Sequence, residues 1–597
     1  MKTLIIALNS KYIHSALAPR YLKASCGNEC GDIDILELTI NDSLDSILAS
    51  IYREKADSVA FSCYIWNIAY VLKLAEDLKK VSPATKIILG GPEVSFDAVK
   101  VMEGSLFIDY IISGEGENVF KLLLKHLFDG SVKIGDICGL TYRNEGAVLS
   151  GEPCPLIENL DSIPSPYSDE MLASLGGRIV YFESSRGCPF SCSYCISSTF
   201  EGVRYFSMDR VKRDLLKLIE AGVKQVKFVD RTFNANRERA KEIIKFVIEN
   251  AAEINFHFEA AGDLFDDEML QILSTAPEGL IQFEIGIQTT NEKTLEMINR
   301  RTSIDKVFNN VRRLNAPENI NIHLDLIAGL PGEDYDSFKE SFNDVYLLKP
   351  HQLQLGFLKM LKGSKIRREI GLHGYEFRDY APYEVLCNKY MSFDEMLELK
   401  GIEEIVERYY NSGRFANSLE FIINNFYGSA FEFYYEFLQF NKRMRYLERP
   451  LSSRELYAVL MKFLKEWAPE SKLGLLKDLL KLDFLSCDSS NNLPEGIDRS
   501  LQPGFKERCF DFLKSETNIC TYLKGFAGVP AKEIFKRVHF EIFNYDVAQQ
   551  VVSQNIVIQK NNCIDFKEAE TVVLFNYSLR NKVTGLFNYE KLATDIF

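Results

Sequence analysis

The sequence predicts an α/β protein in three parts: an N-terminal doubly wound, Rossmann-like parallel sheet, a central partial (β/α)6 barrel and a C-terminal, mainly helical domain. Three observations carry this. Short apolar runs alternate with amphipathic stretches over the first 130 residues, a proline-bearing segment interrupts them, and the alternation resumes from about residue 174. After about residue 376 strand patterns become rare. At 597 residues the chain exceeds what one hydrophobic core serves. The expected division is 1–133, a linker with a hairpin at 134–173, 174–375 and 376–597.

In the first part the strand candidates are "TLIIAL", "IDILELTI", "SVAFSCYIW", "KIILGG" and "DYIISG", and the helical patterns between them include "DSLDSILASIYREKA" and "NIAYVLKLAEDLKKV". Such a sheet binds ligands at the carboxyl ends of its strands. "GLTYRNEGAVLS" reads as a hairpin and "LDSIPSPYSDE" as a linker. The barrel strands are "RIVYFE", "VKFVD", "NFHFEA", "LIQFEIGI", "NIHLDLIAGL" and "QLQLGF", separated by patterns such as "RERAKEIIKFVIEN" and "DEMLQILS". Barrel active sites lie at strand C-termini. Farther on, "SFDEMLELKGIEEIVERYYNS" is helical, and "NIVIQK" and "TVVLFNYSL" return to strand patterns.

A formal charge of −14 gives no general attraction to phosphate backbones or anionic membranes, so no nucleic-acid partner is expected. The opening apolar stretch, Leu4–Leu8, is too short for a signal peptide and fits a buried strand. No transmembrane run of about 20 apolar residues is evident. Thirteen scattered cysteines argue against a disulfide framework and for a reducing, cytoplasmic compartment.

The most informative stretch is "SSRGCPFSCSYC", residues 184–195, with Cys188, Cys192 and Cys195 in C-x3-C-x2-C spacing on a Gly-Pro loop just after a strand. Thiolates suit iron–sulfur clusters or zinc. A structural zinc site takes four ligands, usually from paired C-x2-C elements, and no second pair is present. Three thiolates on a four-iron cluster leave one iron open to a cofactor. Buried core cysteines are the remaining reading.

The loop, in its barrel setting, resembles the signature of the radical S-adenosylmethionine enzymes over about residues 174–375. The resemblance implies that Cys188, Cys192 and Cys195 hold a 4Fe–4S cluster whose open iron chelates S-adenosylmethionine, and that an electron delivered through it generates a deoxyadenosyl radical. A dry, closed barrel must then confine that radical. By the same resemblance the backbone at Tyr194 meets the adenine, the strand end near Asp230 meets the amino group, and Glu259 meets the ribose. Gln288 in "FEIGIQT" and Leu330 in "IAGLPGE", the loop where the family binds adenine, complete that set. Helix capping by Asp230 and a salt bridge at Glu284 are the structural alternatives.

Three N-terminal segments fall at predicted strand ends: "SCYIWN" with Tyr64 and Trp66, "GGPEVS" with Gly90, Gly91, Pro92 and Glu93, and "SGEGE" with Ser113, Gly114, Glu115 and Gly116. A dinucleotide fingerprint is ruled out, because the turn after the first strand reads "NSKYIHS". Together "GGPE" and "SGEGE", ahead of the cysteine loop, resemble the cobalamin-binding domain of cobalamin-dependent radical S-adenosylmethionine enzymes, over about residues 1–130. The sequence lacks D-x-H-x-x-G, and His14 has no aspartate two residues before it, so the cobalt's lower face is expected to have no histidine ligand. Such a face favours transfer of the methyl group to a carbon radical.

The resemblance thus implies an enzyme using a 4Fe–4S cluster, S-adenosylmethionine and cobalamin to methylate an unactivated carbon of a small-molecule, lipid-like or peptide substrate, with an electron donor such as flavodoxin or ferredoxin. Radical rearrangement, cyclisation or oxidation is the alternative chemistry, and a cobalamin or cluster sensor the alternative class. Methylthio transfer to RNA would need three further N-terminal cysteines, and Cys26, Cys30 and Cys63 are oddly spaced for that. In the last third Tyr409, Tyr410 and Asn411 are candidates to face substrate or to fill the core, and Cys387, Cys487, Cys509, Cys520 and Cys563 are expected to be core thiols.

Overall fold

Apolar side chains fill β1 (Lys2–Asn9) with hardly a break, the pattern of a strand covered on both faces. In the computed structural model β1 pairs in parallel with β2 (Asp32–Thr39) and β3 (Ser58–Ser62), and β4 (Lys86–Gly90) and β5 (Tyr110–Ile112) continue the parallel sheet. The structure describes all residues except 28, 200–201, 252, 490–491, 501, 549–565 and 594–597. Leu4, Ile6 and Leu8 bury against helices Leu44–Arg53 and Ile68–Val81 on one face. Ile5 turns to the other face with Ala60, Ile88 and the helix Gly116–Asp129. Two cores on opposite faces are what double winding requires.

The expected linker hairpin is present as β6 (Leu140–Asn144) and β7 (Ala147–Ser150), but it belongs to this sheet, as the last two of seven strands in the order β2-β1-β3-β4-β5-β6-β7. A disulfide, Cys138–Cys154, closes the base of that hairpin, one bridge where the cysteine count had argued against a framework. The strand order reverses between β1 and β3, which places the sheet's ligand crevice beyond Asn9 and Ser62.

The second large sheet begins with β8 (Val180–Phe182). Between it and the next long strand stands a two-stranded antiparallel ribbon, β9 (Ser185–Gly187) with β10 (Val203–Tyr205), which closes both ends of the cysteine loop. Then follow β11 (Gln225–Phe228), β12 (Asn255–Ala260), β13 (Ile281–Gln288), β14 (Asn321–Ala328) and β15 (Gln352–Phe357), in the sheet order β15-β14-β13-β12-β11-β8. Every predicted barrel strand is present, and β8, β11, β12 and β13 are parallel. A short antiparallel pair, β16 (Glu376–Phe377) and β17 (Val385–Cys387), lies in the region read as helical.

The chain divides into two compact units, one of residues 1–317, 329–334 and 357–393, the other of 318–328, 335–356 and 394–597. The second unit is mainly helical, from Phe393–Tyr409 onwards, and ends in the antiparallel strands β18 (Val538–Tyr545), β19 (Glu568–Arg580) and β20 (Phe587–Lys591). "TVVLFNYSL" is in β19, whereas "NIVIQK" and Cys563 lie outside the described residues. Tyr409 is buried with its hydroxyl donating to Leu456 O, Tyr410 donates to Pro350 O, and Asn411 exchanges bonds with the backbone of Leu353. These three residues are therefore framework of that unit. Cys509 is buried in a core cluster, Cys387 and Cys487 are only half-buried, and Cys520 is exposed.

Candidate active site

The cysteine loop is held from below by Arg186. Its guanidinium reaches Glu117 at 2.6 Å, Glu183 at 3.0 Å and Glu115 at 3.3 Å. Glu115 is shared with Arg204, which is the direct partner of Arg186 across the ribbon, and also accepts from Ile157 N–H. Burial raises the Glu115 carboxyl, but the hydrogen bonds from Arg204 and Ile157 and the charge of Arg186 outweigh it and hold it below the usual carboxylate value. Thus the "SGEGE" loop, predicted for cobalamin, is ion-paired to the strand that launches the cysteines.

Gly187 precedes Cys188 at φ +101°, and a Cβ there would stand 2.2 Å from Gly202 O. Cys188 Sγ lies 3.5 Å from Thr232 Oγ1, and Cys192 Sγ 3.9 Å from Arg300 Nη1. Burial pushes the Cys192 thiol up, against the charge of Arg300. Arg300 also donates to Tyr194 Oη at 3.2 Å and to Gly286 O. The side chain of Gln288, at φ +74°, folds back over Gly286. Gln288 Oε1 and Arg300 Nε are buried without a hydrogen-bond partner.

Asp230 is buried beyond β11 and accepts from Ser184 N at 2.9 Å, Ser184 Oγ at 2.6 Å and Ser185 Oγ. It therefore ties down the end of β8, and the following helix Arg237–Asn250 is capped instead by Asn236. Glu259 makes no hydrogen bond or ion pair among the described residues. Burial raises its carboxyl, and the charge of Arg231 opposes that rise. Its register neighbour Glu284 is paired with His257 at 3.0 Å and Lys227 at 3.2 Å. Burial raises Glu284, but the bond from His257 and the charge of Lys227 prevail and hold it at about 2. Leu330 is fully buried in the loop after β14.

On the first sheet, Tyr64 and Trp66 stack with centroids 4.5 Å apart beyond β3, and Trp66 Nε1 donates to Leu8 O at 3.1 Å, leaving the indole 43% exposed at the crevice. Burial raises the Tyr64 hydroxyl above its usual value, and the charge of Arg231 opposes that rise. Gly91 adopts φ +115° with its Cβ position 2.5 Å from Cys63 O, so backbone meets backbone there. A Cβ on Gly114, by contrast, would meet nothing within 4 Å. Glu93 is buried and accepts from Tyr383 Oη at 2.8 Å. Ser113 N–H donates to Gly139 O, and Gly90 O accepts from Cys63 N–H. His14 Nδ1 lies 2.9 Å from Tyr181 Oη, a hydrogen bond to β8 across 167 residues of sequence.

Family models match three stretches: a B12 binding domain at residues 3–124, the Radical SAM superfamily at 182–345, and DUF4080, a protein of unknown function, at 371–575. The chain belongs to the cobalamin-dependent radical S-adenosylmethionine enzymes. An uncharacterized methyltransferase of Pyrococcus horikoshii, PH0819, is 26% identical over 387 residues, 63% of this enzyme and 82% of that protein. The cobalamin-dependent radical SAM methyltransferase TokK of Streptomyces tokunonensis is 26% identical over 311 residues, 50% of this enzyme and 46% of TokK. The enzyme thus spans about half the length of TokK. Its fold is similar to that of OxsB, a cobalamin-dependent S-adenosylmethionine radical enzyme solved with aqua-cobalamin and S-adenosylmethionine bound (TM-score 0.56, 15% identity, 81% of this enzyme and 78% of OxsB).

The residues present fit the cofactors of this enzyme family. Among the described residues no three His, Cys, Asp or Glu side chains converge on one point, as a single zinc ion would demand. A four-iron cluster takes its thiolates on separate irons and accommodates three spaced cysteines. The orphaned Gln288 Oε1 and Arg300 Nε beside the cysteine loop are what a polar ligand would satisfy. The open face at Gly114 and the stacked Tyr64–Trp66 pair suit a large, flat ligand. Sequence reasoning missed Arg186, Arg300, Thr232 and Glu183. The run "SSRGC" carries Arg186 beside the first cysteine and "INRRT" carries Arg300 between two helices, but nothing in either named the partners.

Proposed function

We propose that the enzyme moves a methyl group from S-adenosylmethionine, by way of cobalamin, to an unactivated carbon of a small-molecule, lipid-like or peptide substrate in the cytoplasm, drawing electrons from a donor such as flavodoxin or ferredoxin. The observation that carries this is the meeting of two sets of strand ends within one compact unit. Arg186 bonds Glu115 and Glu117 of the "SGEGE" loop on the first sheet and stands two residues before Cys188, the first cysteine of the barrel loop. When bound there, the cluster and S-adenosylmethionine supply a carbon-centred oxidant, and cobalamin supplies a transferable methyl group.

The chain's own residues do the rest. Cys188, Cys192 and Cys195 anchor the cluster, with Arg300 placing a positive charge beside Cys192. Gln288, Arg300, Glu259 and the backbone at Tyr194 and Leu330 hold S-adenosylmethionine, and Asp230 fixes the loop that carries it. Tyr64, Trp66, the Gly90–Glu93 turn and the Ser113–Gly116 turn cradle the corrin. Among the described residues no helix is long and apolar enough to cross a membrane.

The test is cofactor content followed by turnover. Anaerobically purified protein from cobalamin-fed cells should carry about four irons and about one corrinoid per chain. With a strong reductant it should form 5′-deoxyadenosine, and with substrate S-adenosylhomocysteine in step with product. Product without S-adenosylhomocysteine would replace methyl transfer by another radical reaction. Iron without corrinoid would overturn the assignment of the first sheet.

A further inference from the structure

The family model of unknown function begins at residue 371, and its first stretch, with the chain just before it, lies in the same compact unit as the cofactor loops. That stretch is a folded strap. Residues after β15 pair with the approach to β17: Met360 N–H donates to Tyr383 O at 2.8 Å, and Val385 N–H to Leu358 O at 2.9 Å. One side of the strap grips the "GGPE" turn. Tyr383 Oη donates to the buried Glu93 carboxylate at 2.8 Å, and Lys362 Nζ bonds both Glu93 O and the Asp97 carboxylate at 3.0 Å. Arg367 covers the Tyr383 ring at 4.9 Å, which fixes it in place.

The other side of the strap grips the loop after β14. Gly329 O, one residue before Leu330, accepts from Tyr375 Oη at 3.1 Å and from Asn388 Nδ2 at 2.9 Å. One short ribbon therefore holds, at its two sides, a loop proposed for cobalamin and a loop proposed for S-adenosylmethionine. The Glu93 carboxylate is committed to Tyr383. Burial raises that carboxyl, and the Tyr383 bond and the Lys362 charge work against the rise.

We infer that Tyr383 and Lys362 on one side, and Tyr375 and Asn388 on the other, are positioning residues that couple the two cofactor loops, so that filling one site orders the other. The inference rests on the proposed cofactor assignment. Coupling of this kind is reciprocal and has a measurable size. A hydrogen bond to a charged, buried group commonly contributes enough to change an affinity by about tenfold when it is lost.

The experiment uses the full chain with its cluster reconstituted. Hydroxocobalamin affinity is measured by absorbance titration with and without S-adenosylmethionine, and hydrogen exchange is followed over residues 88–97 and 327–333. In the parent, S-adenosylmethionine should tighten hydroxocobalamin and slow exchange at 88–97. Tyr383→Phe and Lys362→Met should speed exchange at 88–97 even without cofactors, and weaken hydroxocobalamin about tenfold with unchanged iron content. Tyr375→Phe combined with Asn388→Ala, which removes both donors to Gly329 O, should leave hydroxocobalamin affinity alone at the parental value but abolish the effect of S-adenosylmethionine on it. Parental exchange at 88–97 in Tyr383→Phe overturns the strap, and so does survival of the S-adenosylmethionine effect in the double variant or its absence from the parent. A parent that binds no hydroxocobalamin rejects the proposed function instead, and the cofactor-free exchange of Tyr383→Phe still decides whether the strap holds the turn.

Discussion

Arg186→Leu tests whether the cysteine loop is anchored to the first sheet by charge. The guanidinium is the partner of Glu117 at 2.6 Å, Glu183 at 3.0 Å and Glu115 at 3.3 Å, and none of the four side chains is more than 16% exposed. Leucine fills much of the volume but leaves Glu117 and Glu183 as buried carboxylates with no cation, while Glu115 keeps Arg204. Removing one partner of such a group costs about 3–5 kcal/mol, against ~0–1 for an exposed pair. The penalty also depends on pH. Burial, opposed by Arg186, already pushes the Glu183 carboxyl from 4.5 to about 7. A raised carboxyl contributes stability that is complete below 4.5 and lost as pH rises through about 7. Without Arg186 the carboxyl moves higher still, so the loss continues at alkaline pH, and each further unit adds about 1.4 kcal/mol. The variant should therefore be about 1–2 kcal/mol worse relative to its parent at pH 8 than at pH 6. Urea unfolding in a Trp467→Phe background, where Trp66 reports on the first unit, measures both quantities. Arg186→Leu within about 0.5 kcal/mol of its parent at both pH values would refute the reasoning.

Three further outcomes follow from single atoms. Gly187→Ala puts a Cβ 2.2 Å from Gly202 O at a φ of +101°, so the ribbon that closes the cysteine loop must open, and iron per chain should fall several-fold while corrinoid is retained. Gly91→Ala meets Cys63 O at 2.5 Å, and hydroxocobalamin affinity should drop at least about tenfold with iron unchanged, read by titration and metal analysis. In the second unit the buried Asp483 carboxylate receives Asn417 N and Nδ2 and Ser418 N and Oγ at 2.6–3.1 Å, capping the helix Ala416–Phe426 from a neighbouring helix. Asp483→Asn turns an amide N–H₂ towards those donors and should cost about 2–4 kcal/mol in urea unfolding, with iron and corrinoid content unaffected.

The parts of this molecule that sequence reveals are those whose cause is local. A strand buried on both faces must be continuously apolar, so the first sheet and the barrel announce themselves in runs such as "TLIIAL" and "FEIGIQ". The cysteine spacing is likewise a property of eight consecutive residues. The ribbon of β9 and β10 was hidden because three residues per strand, read beside a Gly-Cys loop, show no period. Tyr409, Tyr410 and Asn411 looked like site residues because polar tips on a helix signal either substrate or backbone. Here Pro350, Leu353 and Leu456 take them.

Partner choice is what no local pattern records, and the site depends on it. Glu93 is separated from Tyr383 by 290 residues, and Glu115 from Arg186 by 71. In both cases an acidic residue of a glycine-rich turn, read from sequence as a ligand group, is committed by the fold to a protein donor. The glycines then do the work of approach, and the acids do the work of placement. The ionic tie and the strap meet the two cofactor loops from different directions, one through β9 and one through β17. If both anchors act on one rigid arrangement, Arg186→Lys combined with Tyr383→Phe should weaken hydroxocobalamin binding by more than the product of the single effects, because each alone leaves the other to hold the geometry. Purely multiplicative effects in that cycle would mean that the two anchors hold their loops independently, and that the spacing between the cofactors is set elsewhere in the barrel.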